Sequence, residues 1–509
     1  MAAISSHHHM ATSCETYSTY LVILKIHGNA IRLFDTSSSI NHQSKLAQPT
    51  YRILCRDLEA RKDNNNHHTD SGVQVFVLDK PATSMDKTSL FQNQQLMGLE
   101  IGLTDLAIFM TKPTDSTRKA SFAIDIGVSK HSTSMEDLSG EDCKKLGVAY
   151  IYLEPKFSTQ GVQRMQIMSS HNRSPIGQMQ VEYLIVTDPN GYGVKAARPE
   201  WLSRVTQLDA GHRGAGSGCR PDLQGRPLTE NTVASFNYAA RHGADMCELD
   251  VMCTADGVPV VYHNYMLNTS QPMQIDELTL DELRRLGDCS IHDANCKHTK
   301  SDDNNPAQDA PTGTSTTTTP TMTQALNSFP PMDLRPFPTL EQVLRDVDKT
   351  CALNIELKWA QLLPNGKSEA THYREINDFV DRILDCIYKN SNDRPILLST
   401  LSADIAIMLR LKQTKYPVLF LTTGDSQRFN DPATKTVKNA IHLAQAFDMA
   451  GINPNAKWLN EYLVRYAKER GLLVYAWGEI KSPQTIKELR RYGLNGVIYD
   501  KIDLIKPQD

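Results

Sequence analysis

The sequence predicts an α/β TIM-like (β/α)8 barrel preceded by an antiparallel β-sandwich, and two observations carry this. From Thr339 to Tyr499 short apolar runs alternate with amphipathic helical segments, as βα repeats of a parallel barrel do. Residues 11 to about 200 show no long amphipathic helix, only short runs of β-formers separated by loops rich in Asn, Asp, Ser, Gly and Pro.

In the first half the strand-like runs are Tyr20 to Ile26, Tyr51 to Cys55, Val73 to Leu78, Ala120 to Ile126, Val148 to Leu153, Val162 to Ile167 and Gln180 to Thr187. The tract Asp63 to His68 offers no apolar surface to bury and reads as a solvated loop. Residues 1-15 read as a disordered N-terminus, 16-190 as the β-sandwich domain and 191-206 as a linker containing Pro199 and Trp201.

The barrel is expected over 207-509. Its opening runs are Leu208 to Gly211, a helix over Glu230 to His242 capped by Thr229 or Asn231, an acidic run around Cys247 to Val251, and a further run closing on His263. Thr279 to Leu286 starts a helix, after which 289-336 loses every period and reads as a low-complexity insertion. Cys289, His292, Cys296 and His298 lie there, but their spacing matches no common zinc template. Then follow helix 339–347, strand Ala352 to Trp359, helix 368–389, strand Pro395 to Thr400, helix 402–412 and strand Val418 to Thr422. Helix 434–445, an apolar run Ala446 to Ile452, helix 457–470, strand Leu472 to Trp477, helix 482–492 and strand Gly496 to Tyr499 complete the series. This makes nine candidate strands, one more than the barrel needs. The Thr254-Ala255-Asp256-Gly257 turn reads as a hairpin that leaves one of its two strands outside the closed barrel.

A chain of 509 residues carries 54 basic and 58 acidic side chains, a formal charge of -4. No broad positive field for nucleic acid or an anionic membrane follows from that balance, so phosphate recognition must be local. No apolar run is long enough to span a bilayer, and no basic segment with an apolar core opens the chain. The ten cysteines, several inside apolar runs, read as reduced thiols of a cytoplasmic protein.

The chemistry-bearing residues sit at strand ends. Residues i and i+2 of a strand share a face, so Glu248 and Asp250 can grip one hard cation. Glu356 can complete a three-carboxylate site, and Lys358 beside it can meet a phosphate oxygen. Oxygen ligands without cysteine or histidine favour Mg²⁺ or Ca²⁺ over zinc. His212 and His263 each close a strand-like run and offer acid/base groups. Singly, each residue has a structural reading; their joint occurrence near predicted strand ends favours catalysis.

His212-Arg213-Gly214, Glu230-Asn231, Glu248-Leu249-Asp250, Thr254 to Gly257, His263-Asn264 and Glu356 with Lys358 closely resemble the signature of the glycerophosphodiester phosphodiesterase family. Asn264 stands where the family usually has aspartate, which is expected to alter the tuning of His263 rather than abolish activity. The segment Pro175 to Ile185 with the turn after it is similar to eukaryotic glycerophosphocholine phosphodiesterases, whose C2-like β region would fit residues 16-190.

The resemblance implies metal-dependent hydrolysis of sn-glycero-3-phosphocholine to glycerol 3-phosphate and choline. Glu248, Asp250 and Glu356 would hold Mg²⁺, with Ca²⁺ as the alternative; His212 and His263 would be general acid and base, in an order the sequence leaves open. The nucleophile is either water held at the metal or the substrate's own glycerol 2-hydroxyl. Arg213, Lys358 and Trp477 would contact substrate, the indole of Trp477 through glycerol or a quaternary ammonium or else as core, with Glu230 and Asn264 behind them. A lysophospholipase D, marked by an apolar channel beside the site, is the second reading, and a non-catalytic scaffold is the third. The expected partner is the small diester, with no nucleic acid, and the partner of the β-domain is unknown.

Overall fold

A computed structural model describes residues 17–34, 50–59, 72–78, 90–95, 98–129, 143–155, 158–196, 198–204, 207–223, 225, 227–267, 272–293, 334–371 and 374–507. Most of the 289-336 insertion, the Asp63 to His68 tract and residues 1-15 lie outside them, and so do Cys296 and His298. The chain divides into two compact units, one of residues up to Val77 with Gln92–Tyr192, the other of Leu78–Phe91 with Gly193–Asp509. No described helix is long and apolar enough to cross a membrane.

The first unit is antiparallel. Its main strands lie in the spatial order Val73–Val77, Leu106–Thr111, Thr19–His27, Pro175–Thr187, Gln160–Ser169, Cys143–Leu153, Ala120–Ser129 and Tyr51–Asp57. Tyr51–Asp57 alternates buried and less buried positions, so one face enters a core that also takes Leu24, Val75, Phe109, Phe122, Ile151 and Val181. The two ends of this row meet through one side chain. Gln94 accepts from the Cys55 amide (2.8 Å) and donates to the carbonyls of Cys55 (2.7 Å) and Val73 (3.0 Å). The expected β-rich layering is therefore a continuous sheet folded over one core. Leu106–Thr111, fully buried on both faces, lacks the period-2 signal and was invisible to it.

The second unit contains a closed parallel barrel of eight strands: Leu208–Gly211, Met246–Cys253, Ala352–Leu357, Ile396–Thr400, Val418–Thr422, Gly451–Pro454, Leu473–Ala476 and Gly496–Tyr499. Ala210 pairs with Met246 on one side and Ile498 on the other, which closes the cylinder. The ninth strand, Pro259–Val261, runs antiparallel to the second and lies outside the closure, as the hairpin turn predicts. An apolar layer of Ala210, Met246, Ala352, Leu397, Leu419, Tyr475 and Ile498 fills the interior. Two and four residues further along the same strands, on the same face, stand His212, Glu248 and Asp250, Glu356, and Asp500. The barrel interior thus turns from apolar to charged toward its carboxyl end.

Several helix boundaries differ from expectation: the helix that starts after Thr279 is Leu280–Asp293 and enters the expected 289-336 insertion, and the helices expected over 434–445 and 457–470 are Val437–Ala446 and Glu461–Glu469. The helix expected over 368–389 is Ile376–Asn390, capped by Glu375. Its first residues are instead clipped to a loop, the Glu369 amide donating to the Gln361 carbonyl and the Gln361 amide to Glu369 Oε2, both at 3.0 Å. The cap of helix Val233–Arg241 is Thr232, not Thr229 or Asn231.

Candidate active site

The first barrel strand ends in a tight turn that aims two side chains at the barrel mouth. Arg213 and Asn231 both take positive φ (49° and 57°), and the Asn231 amide donates to the Arg213 carbonyl at 3.1 Å. Gly214 at φ 88° is needed because a Cβ there would lie 2.5 Å from Ser235 Oγ. Each unusual backbone position serves a carboxylate: the Arg213 amide donates to Glu248 Oε2 (2.9 Å) and Asn231 Nδ2 to Asp250 Oδ2 (2.9 Å). Asn231 is therefore withdrawn from helix capping because Asp250 engages it.

Glu248, Asp250 and Glu356 are buried, and their carboxylate oxygens lie within 4.8 Å of one another. The strand register explains this, since Asp250 pairs directly with Glu356 across two parallel strands. Lys358 Nζ lies 3.6 Å from Asp250 Oδ1 and 3.4 Å from Glu356 Oε1, and Arg213 Nε 3.5 Å from Asp250 Oδ2. Against its burial, the charges of Lys358 and Arg213 hold Asp250 well below the usual carboxylate range. Burial and then the charge of Asp250 push Glu248 up to about 8, and burial raises Glu356. Even with Lys358 and Arg213 beside them, burial and mutual repulsion oppose ionising all three carboxyls together. A hard divalent cation supplies the positive charge that offsets this, so this donor set fits one.

The two histidines are held differently. His212 Nδ1 lies 2.8 Å from Asp500 Oδ1, and its Nε2 3.9 Å from Glu248 Oε2. A carboxylate only accepts, so Nδ1 carries the proton. Burial opposes the charged imidazole, but the Asp500 hydrogen bond and the neighbouring carboxylates outweigh it and raise His212. Ser217 steadies Asp500, donating to Oδ1 from its amide at 3.0 Å.

His263 follows the outlying strand, placed there by the Tyr262 amide donating to the Asp250 carbonyl at 3.0 Å. Its Nδ1 lies 2.8 Å from Asn264 Oδ1, an acceptor, which leaves Nε2 unprotonated. Burial, reinforced by Lys358 and Arg213 against the pull of Asp250, pushes His263 down to about 3.

Glu230 pairs with Arg213 (3.0 Å), not with His212. Trp477 is partly buried, its indole N–H donating to the Asn453 carbonyl at 3.0 Å while its ring packs on the interior apolar layer. Asp500, Ser217 and the side-chain role of Asn231 went unread in the sequence. Applying the two-residue step to Ile498 of the last strand would have found Asp500.

A family model described as the glycerophosphoryl diester phosphodiesterase family matches residues 212–504. The glycerophosphocholine phosphodiesterase of Homo sapiens is 33% identical over 364 residues, covering 67% of this chain and 51% of that protein. The glycerophosphocholine phosphodiesterase of Schizosaccharomyces pombe is 32% identical over 324 residues, 58% of this chain and 28% of that protein. The chain thus spans about half the length of the mammalian relatives it matches, which are 51% covered. Among solved structures, an Oleispira antarctica phosphodiesterase in complex with sn-glycerol-3-phosphate aligns at 18% identity and a TM-score of 0.41, over 60% of this chain and 96% of that one.

Proposed function

The chain belongs to the glycerophosphoryl diester phosphodiesterase family, and from that premise we propose that its barrel hydrolyses sn-glycero-3-phosphocholine to glycerol 3-phosphate and choline. One observation carries the reading: three buried carboxylates from two adjacent strands converge within 4.8 Å, beside a lysine and two differently tuned imidazoles. The names of the relatives supply the choline. A free-thiol pair such as Cys247 and Cys351, with sulfurs 3.5 Å apart, fits a reducing compartment, the cytoplasm.

Glu248, Asp250 and Glu356 would hold Mg²⁺, with Ca²⁺ the alternative; when bound, the ion neutralises the carboxylates and draws charge from the phosphate oxygens. Arg213 and Lys358 face the same anionic oxygens from the protein side. His263, unprotonated at Nε2, accepts the proton of the attacking hydroxyl, whether water or the glycerol 2-hydroxyl. His212, whose charged form the Asp500 hydrogen bond favours against burial, delivers its Nε2 proton to the departing choline oxygen.

The test is to incubate the purified chain with glycerophosphocholine, glycerophosphoethanolamine and lysophosphatidylcholine, with and without EDTA, and identify the products. Choline and glycerol 3-phosphate are expected, with EDTA suppressing both. His212→Ala and His263→Ala should each lower turnover at least about 10²-fold with the circular dichroism spectrum unchanged. Release of phosphocholine, or full activity in either variant, would overturn the assignment.

A further inference from the structure

Beyond His263, Glu356 and Lys358 the barrel mouth opens into a cavity of about 630 Å³. Its lining also takes in Tyr265, Met266, Trp359, Glu369, Arg428 and Phe429, with the centre of the Tyr265 ring 5.8 Å from Lys358 Nζ. Three aromatic rings and the Glu369 carboxylate thus line the same chamber as Lys358. Glu369 is largely buried, its side chain 17% exposed, and its Oε2 accepts from the Gln361 amide at 3.0 Å. Its other oxygen faces the guanidinium of Arg428 at 3.7 Å. That guanidinium also stands over the Phe429 ring, 5.1 Å from its centre, while the Arg428 side chain is 57% exposed.

Arg428 therefore occupies the position a cation would take between a carboxylate and an aromatic face. Its hold is slight, because a long ion pair made by a solvent-exposed arginine contributes little. A quaternary ammonium has no N–H to satisfy and binds by apposition to aromatic faces and a nearby negative charge. Here the rings supply the faces and Glu369 the charge.

We propose that this part of the chamber is the subsite for a quaternary ammonium carried on the leaving alcohol, with Glu369 as its counter-ion, Trp359 and Phe429 as its walls, and Arg428 as a place-holder that the headgroup displaces. The inference rests on the phosphodiesterase reading above and deepens it, by naming the residues that set headgroup preference.

Two diesters with the same phosphoglycerol half separate the effects: glycerophosphocholine, cationic, and glycerophosphoglycerol, uncharged at the headgroup. In the full chain, Glu369→Gln keeps the acceptor for the Gln361 amide but removes the charge. It should lower the kcat/KM ratio of choline over glycerol diester about tenfold, chiefly through KM. Arg428→Ala removes the competitor and should raise the same ratio several-fold. Calorimetric titration with choline gives a readout independent of turnover, and Glu369→Gln should weaken that binding by a similar factor. If wild type cleaves neither diester yet binds choline through Glu369, the reaction assignment fails and the subsite stands. An unchanged ratio and unchanged choline binding in Glu369→Gln, or a lowered ratio in Arg428→Ala, overturns the subsite. So does a preference for lysophosphatidylcholine that Glu369→Gln leaves intact, which would give the chamber to an acyl chain.

Discussion

Nδ1 of His212 lies 2.8 Å from Oδ1 of Asp500, 288 positions away in the chain, so the seam where the first and last barrel strands meet is also a chemical contact. The carboxylate raises the imidazole and fixes its tautomer. A general acid works only while protonated, so activity is lost as pH rises through its pKa. Asp500→Asn lowers that pKa, moves the alkaline limb of the kcat/KM profile to lower pH and reduces kcat about 10²-fold. A profile matching wild type would deny Asp500 this part.

The opposite sign holds for His263. Its hydrogen-bond partner Asn264 is neutral, and burial keeps the ring at about 3. Asn264→Asp places a negative charge against Nδ1 and favours the protonated ring. Since a general base works only when unprotonated, the acidic limb of kcat/KM should move up by about 1–2 pH units. Rate profiles extending down to about pH 2.5 check this, and an unmoved limb excludes His263 as the base.

Burial and the charge of Asp250 push Glu248 up to about 8, which favours its protonated form at pH 7. A cation bound there drives that proton off. Calorimetry with Mg²⁺ in two buffers of different ionisation enthalpy should report about one proton released per ion at pH 7 and much less at pH 9. Glu248→Gln should abolish the release and raise the Mg²⁺ concentration needed for activity. Binding without proton release would show that Glu248 is not a ligand.

How far the sequence reached depends on whether the determining relationship is local. The pairing of Glu248 with Asp250 on one face follows from strand period alone, and the hairpin turn at Thr254 to Gly257 sufficed to expel one of nine strands from the closure. The partnership of His212 with Asp500 exists only because the cylinder closes, and nothing near either residue encodes it. Asn231 looked like a helix cap because its local setting suits one, yet a buried carboxylate two elements away claims its side chain. The start of the helix at Ile376 was misplaced for the same reason: residues 368–375 are helix-compatible by propensity, but Gln361 holds Glu369 in a loop.

Stability in the same unit rests on a buried arginine. Arg394, 7% exposed, donates to the carbonyls of Val347 (2.6 Å), Asp348 (2.7 Å) and Cys351 (2.9 Å), which knit the turn entering the third barrel strand. Arg394→Met leaves those carbonyls without their donor and should cost about 2–4 kcal/mol of unfolding free energy in urea titration. A change below about 0.5 kcal/mol would mean that the turn holds itself.

The strand outside the closure is fastened by a short ladder, Val251 to Val261, Met252 to Val260 and Cys253 to Pro259, and it delivers His263. Although the cylinder is complete without this arm, Val260 and Val261 are fully buried and the Val261 amide donates to the Pro338 carbonyl at 2.9 Å, so the arm is pinned on both edges and holds His263 over the acidic trio. The reach of one catalytic candidate is thus set by how firmly a single buried arm is packed, not by the closure of the cylinder.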